Sequence, residues 1–299
     1  MTALSIFAPA KLNLFLAVTG RRADGFHELV SLVAPLDFGD TLRAESAERF
    51  SLRCTDPSLA VDESNLVLKA ARAYAAASGW GGRAAFILEK QVPVGAGLGG
   101  GSSDAVATLR AMERISGVTL APAALAGVAA TLGSDCPLFL HGGPVIMRGR
   151  GERLESVPTG AAQRLSGRRV LLFKPGFGIA TPWAYGRLAA LASAHRAGPP
   201  AYCPSAEAEE RLAAWLANDA EPVETLLDNT LELPAFAKFL ALPALLERLR
   251  AEFGLTPRMS GSGSACFALL RDDTPTVAVT DTIRMAWGRS AFVTVARIV

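Results

Sequence analysis

Short apolar runs separated by polar turns dominate the first third of the chain, and this pattern predicts β-strands. Turns at residues 22–25 and 38–40 separate several of these runs. The predicted strands are residues 4–8, 12–18, 30–36, 41–45, 50–54 and 84–88. Residues 65–78 predict a helix that ends at Gly79, so this part of the chain mixes strands with helix.

A turn-rich segment follows, and after it apolar residues recur at helical spacing, at Ala105, Val106, Leu109 and Met112. This pattern predicts a helix whose N-terminus either Ser102 or Ser103 can cap. Pro122 is expected to start the next helix, whose buried side is predicted to carry Leu125, Val128 and Leu132.

The second half of the chain also alternates between strands and helices. Short strands are predicted within residues 145–157, at 169–173 and at 291–298, and helices at 181–194, 206–216, 242–253 and 274–287. A surface loop is predicted at 198–204 and a tight turn at 259–263. The polar stretch 158–167 marks a soft boundary, which divides the chain into predicted domains 1–160 and 161–299.

Composition predicts a packed globular protein. Half of the 299 residues are hydrophobic and 19% are charged, which is typical of a chain with a core. The formal net charge is only +2, and this argues against a nucleic-acid-binding protein, which carries clustered excess Lys and Arg. A small anionic ligand needs only a local positive potential, so such a ligand stays open.

Neither a zinc site nor a membrane segment is expected. The four cysteines form no C-x-x-C pair and only three histidines are present, so the thiols are expected to be reduced. The apolar N-terminus is interrupted by Pro9, Lys11 and Asn13, which is not typical of a signal peptide. No uncharged apolar run reaches about 18 residues. A cytoplasmic protein is therefore expected.

The glycine-rich segment at residues 93–103 is the main candidate for binding chemistry. It consists of Pro93, Val94, Gly95, Ala96, Gly97, Leu98, Gly99, Gly100, Gly101, Ser102 and Ser103. Glycine costs about 1 kcal/mol relative to alanine in regular structure, so this cluster implies unusual dihedrals or close backbone approach. N–H groups at the start of the following helix form an anion site, for which phosphate is the expected ligand.

Three other interpretations of this segment are weaker. A flexible linker is disfavoured because a predicted strand and an amphipathic helix bound the segment. Residues 95–100 match G-x-G-x-x-G, but Glu113 lies within the following helix rather than at the end of a second strand, as a dinucleotide-binding protein requires. The Walker A pattern fails because no Lys follows the last glycine.

Three segments, in order along the chain, resemble the motifs of the GHMP kinases (galactokinase, homoserine kinase, mevalonate kinase and relatives). They are residues 9–14 (PAKLNL), 93–103 (PVGAGLGGGSS) and 260–264 (SGSGS). The resemblance implies an α+β fold of two domains, the first similar to ribosomal protein S5 and the second ferredoxin-like. It also implies an ATP-dependent small-molecule kinase that uses Mg²⁺, for which the sequence identifies no protein ligand.

Other segments narrow the resemblance to one branch of this family. Residues 20–29 (GRRADGFHEL), 133–137 (GSDCP) and 175–182 are similar to the kinases that phosphorylate the 2-hydroxyl of CDP-methylerythritol in the non-mevalonate isoprenoid pathway. Phe26 stands where this branch often has Tyr, so stacking is kept but one hydrogen bond is lost. The oligomeric state is left open between monomer and homodimer.

The resemblance also implies roles for individual residues. Asp135 is expected to be the base that accepts the proton of the substrate hydroxyl, and Lys11 to stabilise charge in the transition state. Without the family, Asp135 is interpreted as a turn residue and Lys11 as a solvent-facing strand lysine. Asn13 shares a strand face with Lys11 and is expected to bind substrate hydroxyls.

The remaining expected contacts involve both ligands. Phe26 and His27 are expected to bind the cytosine, by stacking and by hydrogen bonding, with Tyr185 as the second face of this clamp. The other expected substrate contacts are Thr181, Gly261 and Gly263, and Ser102 and Ser103 are expected at phosphate or magnesium.

One alternative is another GHMP kinase, acting on mevalonate, homoserine or a sugar. The alternatives from other classes are a non-catalytic RNA-binding protein that uses the S5-like domain and a nucleotide-binding dehydrogenase.

Overall fold

The computed structural model describes residues 4–194 and 200–299, so the predicted loop at 198–204 lies partly outside the described residues. Its described part, residues 200–204, is neither helix nor strand. The strands are β1 (Leu4–Arg21), β2 (His27–Ala47), β3 (Ser51–Cys54), β4 (Arg83–Glu89), β5 (Val145–Gly149), β6 (Arg153–Ser156), β7 (Arg169–Lys174), β8 (Asp228–Asn229), β9 (Arg258–Met259), β10 (Cys266–Leu269) and β11 (Phe292–Arg297). The helices are α1 (Leu66–Ser78), α2 (Gly100–Ser116), α3 (Pro122–Leu132), α4 (Thr159–Leu165), α5 (Thr181–Ser193), α6 (Ser205–Ala217), α7 (Glu232–Lys238), α8 (Ala241–Phe253) and α9 (Thr276–Trp287).

The chain forms two compact units that interleave along the sequence. Unit 1 takes its described residues from Met1–Ala10, Phe38–Val94 and Gly99–Gly142, and unit 2 from Lys11–Asp37, Gly95–Leu98 and Gly143–Val299. The glycine-rich segment is therefore divided between the units. The predicted domains 1–160 and 161–299 are continuous segments of the chain, unlike these two units, and that division stays a prediction.

Unit 1 packs α1, α2 and α3 together against strands that include β4 and the second half of β2. Strand β4 pairs antiparallel with β2 and parallel with β3. Helix α1 begins where the Asn65 side chain accepts a hydrogen bond from the Val67 N–H (2.9 Å), which satisfies one free donor of the first turn. The predicted start at Asn65 and the end at Gly79 are confirmed.

Unit 2 contains an antiparallel sheet in the order β11-β7-β10-β9. Its centre is buried, and residues 170–173 of β7 have no exposed surface. In the same unit, β8 pairs parallel with β1, and the first half of β2 pairs antiparallel with β5. These pairings place residues of β1, β2 and β8 next to one another, which matters for the site.

Several local predictions are wrong. The predicted strands 4–8 and 12–18 form the single strand β1, and 30–36 and 41–45 form the single strand β2. Gly39 is not a turn residue: a Cβ there would collide with the Ala8 backbone, so the missing side chain allows two strands to approach closely. The polar stretch 158–167 contains helix α4, and α7 was not predicted.

The capping prediction for α2 is also wrong. The N-cap is Gly99, which makes no side-chain hydrogen bond, and Ser102 and Ser103 lie inside the first turn. By contrast, Pro122 starts α3 as predicted. None of the helices within the described residues combines the length and the hydropathy needed to cross a bilayer.

Candidate active site

The turn between β1 and β2 presents Phe26. Arg22 donates to the carboxylates of Asp24 (3.2 Å) and Glu28 (2.9 Å), and Asp24 accepts the Phe26 N–H at 3.1 Å. Gly25 closes the turn in the left-handed region at φ 87°. The charged side chains of Arg22, Asp24 and Glu28 therefore stabilise the turn that carries Phe26 at the tip of a hairpin.

Phe26 and the next residue occupy contrasting environments. The Phe26 side chain is 49% exposed, and the Arg150 guanidinium lies 4.9 Å from its ring centroid. His27 is buried, with its ring centroid 5.0 Å from that of Tyr185 and 5.9 Å from that of Tyr202. Its Nε2 atom is buried and has no hydrogen-bond partner among the described residues. We call these four aromatic residues, Phe26, His27, Tyr185 and Tyr202, the aromatic pocket.

Burial lowers the pKa of His27, and the charge of Arg21 lowers it further. Because the ordinary histidine pKa is near 6.5, the imidazole is neutral at neutral pH. A neutral imidazole nitrogen either donates or accepts one hydrogen bond. A buried nitrogen without a partner is costly, and such atoms are typical of ligand-binding positions.

A row of hydrogen bonds joins Lys11 to β2. Lys11 and Asn13 lie on one face of β1, as predicted, and both are buried. The Lys11 ammonium donates to Asn13 Oδ1 (2.5 Å), and Asn13 Nδ2 donates to Ser31 Oγ (2.9 Å). The Ser31 hydroxyl in turn donates to the Phe15 carbonyl at 2.5 Å. These hydrogen bonds hold the Asn13 amide in one orientation. Because Lys11 is buried, its interpretation as a solvent-facing lysine is wrong.

The middle of the glycine-rich segment packs on the turn at residues 260–264 within unit 2. Ala265 N–H donates to the Ala96 carbonyl (3.0 Å), and Ser260 Oγ donates to the Gly97 carbonyl (3.2 Å). At Gly97, where φ is 76°, a Cβ would collide with the Ser260 carbonyl oxygen. Only glycine fits this position.

Gly261 lies against the Lys11 row. A Cβ at Gly261 would lie 3.3 Å from both Lys11 Nζ and Asn13 Oδ1, and 3.0 Å from the Gly97 carbonyl oxygen. The structure therefore brings Lys11, Asn13, Gly97 and Gly261 together, although they come from three distant segments.

Two further contacts hold the turn at 260–264 in place. Asn229, at the end of β8, donates to the carbonyls of Met259 (2.7 Å) and Gly261 (2.8 Å). Thr181, the first residue of α5, shares a hydrogen bond of 2.8 Å between its Oγ1 and Ser262 Oγ. Gly263 is buried in the same turn. Thr181 and Gly263 thus belong to the surroundings of this turn.

In unit 1, the start of α2 offers backbone and hydroxyl groups. Its N-cap Gly99 leaves the first turn without a side-chain cap, so the N–H groups of this turn are the free donors of an anion site. The Ser103 hydroxyl is buried and has no hydrogen-bond partner within the part of the chain that the structure describes. Such an orphaned hydroxyl fits a phosphate oxygen or a cation better than a capping role.

The segment that carries Asp135 packs on the same helix start. A Cβ at Gly133 would lie 3.4 Å from Cys136 Sγ and 3.8 Å from Ser102 Oγ. Burial raises the pKa of the Cys136 thiol to about 11, and the hydrogen bond with Ser102 opposes this shift. Asp135 is half-buried and lies between Gly133 and Cys136, which are both close to Ser102 in the first turn of α2.

A buried ionic cluster lies next to the first residues of α2. Lys90 forms ion pairs with Asp40 and with Asp104, the latter at 2.8 Å, and a Cβ at Gly100 would lie 3.2 Å from Lys90 Nζ. Asp40 also accepts the N–H groups of Gln91 (2.6 Å) and Val92 (2.9 Å). The strand end before Pro93 is thereby tied to the helix after the glycines. No pattern along the chain predicted this Asp40–Lys90–Asp104 cluster.

The pKa values of the cluster follow from burial and charge. Burial raises the pKa of Asp104 to about 7, against the opposing charge of Lys90 and with further support from the Asp40 charge. Burial lowers the pKa of Lys90, but the charges of Asp104 and Asp40 outweigh it and the net shift is upward.

Sequence profiles place the chain in a family. The profile of the GHMP kinase N-terminal domain matches residues 65–143, and that of the C-terminal domain matches residues 210–284. The chain is 41% identical over 286 residues to a 4-diphosphocytidyl-2-C-methyl-D-erythritol kinase of Cereibacter sphaeroides, covering 94% of both chains. A protein of the same name from Prochlorococcus marinus is 39% identical over 277 residues, covering 90% of this chain and 85% of that protein.

The chain belongs to the GHMP kinases.

It is therefore an ATP-dependent kinase with the two-domain α+β fold of that family, and the resemblance drawn from the motifs is confirmed. A crystal structure of 4-(cytidine 5′-diphospho)-2C-methyl-D-erythritol kinase matches with a TM-score of 0.76 at 37% identity, covering 98% of this chain and 99% of that chain. Homoserine kinase from Cytophaga hutchinsonii matches with a TM-score of 0.72 at 18% identity, covering 100% and 95%, which shows the fold alone.

Proposed function

We propose that this GHMP kinase transfers the γ-phosphoryl group of ATP to the 2-hydroxyl of 4-diphosphocytidyl-2-C-methyl-D-erythritol, in isoprenoid biosynthesis. The names of the two relatives above support this acceptor. The observation that carries the choice is the buried His27 imidazole, whose Nε2 has no hydrogen-bond partner within residues 4–194 and 200–299, next to the exposed ring of Phe26. One ring available for stacking and one unpartnered nitrogen are what a pyrimidine base requires.

The acceptor roles follow from these positions. Phe26 stacks on the cytosine, His27 hydrogen-bonds to its edge, and Tyr185 forms a second aromatic wall through its contact with His27. Asn13 and Thr181, together with the backbone at Gly261 and Gly263, contact the remainder of the acceptor. The direction of the Lys11–Asn13–Ser31 row supports this, because it holds the Asn13 amide in one orientation.

The donor role belongs to residues 93–103. The backbone N–H groups at the start of α2 bind phosphate oxygens, with the helix dipole adding to the attraction. The residues here also fit Mg²⁺, because a buried Ser103 hydroxyl without a partner is available beside the phosphates. When bound, Mg²⁺ neutralises part of the triphosphate charge.

The chemical step needs a base and a stabilising cation. Asp135 accepts the proton of the 2-hydroxyl and orients its oxygen for in-line attack. Lys11 stabilises the negative charge that develops on the transferring group. Its hydrogen bond to Asn13 keeps the ammonium in one position, so little reorganisation is needed during the reaction.

The reaction product tests this proposal. Purified protein is incubated with ATP, Mg²⁺ and the CDP-linked acceptor, and ³¹P NMR follows the mixture. We expect a new phosphomonoester resonance that appears in step with ADP, while the diphosphate resonances of the acceptor persist. ADP formation without a phosphorylated acceptor would show ATP hydrolysis only and would contradict the proposal.

A further inference from the structure

The His27 imidazole is held by two tyrosines, and only one of them follows from the family motifs. Tyr185 lies on α5, and its ring is tilted by 41° against the imidazole. Tyr202 comes from the segment before α6, and its ring is tilted by 56° at a centroid distance of 5.9 Å. The imidazole therefore has aromatic neighbours from two separate parts of unit 2.

The position of Tyr202 is fixed by the backbone. The N–H of the next residue, Cys203, donates to the Val18 carbonyl on β1 at 3.0 Å. This bond ties an irregular segment to the strand that precedes the Phe26 hairpin. The Tyr202 ring is half-buried, and burial raises the pKa of its phenol against the opposing charge of Arg21. A half-buried ring at this place covers His27 rather than filling a core.

We infer that Tyr202 is a positioning residue of the base-binding pocket, which fixes the His27 imidazole so that its Nε2 atom meets the hydrogen-bonding edge of the pyrimidine. The inference rests on the proposed function. Two rings in contact with the imidazole restrict its rotation, and they also exclude water from the unpartnered Nε2. A hydrogen bond formed in such a dry place discriminates strongly between matching and non-matching base edges.

The rings also keep the imidazole neutral. Burial is the main cause of the lowered His27 pKa, so removal of one covering ring admits water and raises that pKa towards its ordinary value near 6.5. A protonated imidazole only donates hydrogen bonds, whereas the neutral ring also accepts them. Within the described residues, the contacts and charges recorded for His27 come from Tyr185, Tyr202 and Arg21.

Two variants of Tyr202 test the inference. Tyr202→Leu removes the ring, and Tyr202→Phe keeps it without the hydroxyl. We expect Tyr202→Leu to raise KM for the CDP-linked acceptor by about three- to tenfold, the range of an aromatic pair, with KM for ATP and kcat within twofold of wild type. Tyr202→Phe is expected to retain the wild-type KM, because the ring contact remains.

An NMR titration of His27 gives a readout that does not depend on turnover. His27→Gln identifies the His27 resonance by its loss, and the pKa is then compared between wild type and Tyr202→Leu. We expect a higher His27 pKa in Tyr202→Leu and an unchanged value in Tyr202→Phe. An unchanged acceptor KM in Tyr202→Leu would overturn the inference whatever the His27 pKa, as would an unchanged His27 pKa or equal increases of the acceptor and ATP KM values.

The two proposals fail in different ways. If wild-type protein phosphorylates no CDP-linked acceptor, the proposed function fails. If it does so and Tyr202→Leu leaves the acceptor KM unchanged, only the role of Tyr202 fails.

Discussion

The glycine-rich segment offers backbone groups to its proposed ligand, whereas the aromatic pocket offers side chains. Gly97 is glycine because a Cβ would collide with the Ser260 carbonyl oxygen, and the start of α2 offers N–H groups without a side-chain cap. Phe26 offers an exposed ring and His27 a buried ring nitrogen, and these are the groups proposed to bind the base. The contrast matches the ligands proposed for them, since phosphate suits N–H donors and a base suits rings.

Substitutions in the two regions are therefore expected to have different consequences. A side chain added to the backbone-built region displaces neighbouring segments and disturbs everything that they hold. A side chain removed from the aromatic pocket leaves the backbone in place, so its effect is confined to the ligand that it contacts.

The largest expected effect comes from a residue that belongs to neither region. Asp135→Asn keeps the shape of the turn but removes the base, so kcat is expected to fall by about a thousandfold with both KM values near wild type. Steady-state kinetics measure this, and ATP binding is checked by calorimetry. Ser134→Ala, a change at the exposed neighbouring residue, serves as the control. A kcat within tenfold of wild type would remove Asp135 as the base.

Gly97→Ala tests the backbone-built region. The residue has a φ of 76° and no space for a Cβ, so we expect a loss of about 1–3 kcal/mol of unfolding free energy. The resulting shift of the loop is expected to lower kcat/KM for ATP by about 100-fold. Urea unfolding and kinetics are the measurements.

Gly127→Ala is the matched control for this variant. Gly127 lies within α3, where a Cβ meets nothing within 4 Å, so alanine is expected to stabilise the protein by about 0.5–1 kcal/mol. If the unfolding free energy rises in Gly97→Ala as it does in Gly127→Ala, the close packing of the loop on residues 260–264 does not contribute to stability.

Phe26→Ala tests the side-chain-built region. Stacking of a base on an aromatic ring is worth about 1–3 kcal/mol, so KM for the CDP-linked acceptor is expected to rise about tenfold or more, while KM for ATP stays within twofold. Phe7→Ala is a matched control, because Phe7 and Phe26 are each 49% exposed. Equal increases of the two KM values in Phe26→Ala would break the comparison.

Asp104→Asn is expected to have the smallest effect on turnover, and its effect is expected in the pH dependence of stability. The folded pKa of Asp104 is about 7 and the unfolded value about 3.9, so the folded protein binds more protons between these values. This contribution to stability is complete below about pH 4 and is lost as the pH rises through 7. Asp104→Asn cannot titrate and should therefore gain stability relative to wild type from pH 5 to pH 8.

Urea unfolding at several pH values measures this difference, with Asp62→Asn as the control. The pKa of Asp62 is lowered, first by its bond with the Ser64 hydroxyl, so this residue stays ionised throughout that range. A stability difference between wild type and Asp104→Asn that does not change with pH would contradict the role given to burial.

Local signals in the sequence predicted local structure well. Asn65, Gly79 and Pro122 mark helix ends because capping and ring geometry act within a few residues. The continuity of β2 was missed because Gly39 looks like a turn residue until its contact with Ala8 is known. The close approach of two strands cannot be predicted from the sequence of one strand alone.

The roles of the site residues stay predictions, and the structure adds which of these residues lie together. Motifs indicated Lys11, Asn13 and His27, and the structure adds that the hydrogen bonds from Lys11 and Asn13 continue through Ser31 to the Phe15 carbonyl. Tyr202 was missed because it comes from an irregular segment far from His27 in sequence, where no periodic pattern exists. The partners of Lys90 were missed for the same reason, since three charged residues from separate elements meet only in the fold.

The choice of acceptor tests the central claim most directly. Wild-type protein with ATP and Mg²⁺ is assayed for ADP release with the CDP-linked methylerythritol, mevalonate, homoserine and galactose in parallel. We expect a kcat/KM for the CDP-linked acceptor at least about 100-fold above that for each of the others, because only this acceptor carries a pyrimidine base for the aromatic pocket. Turnover of mevalonate, homoserine or galactose with only background ADP release from the CDP-linked acceptor would contradict it.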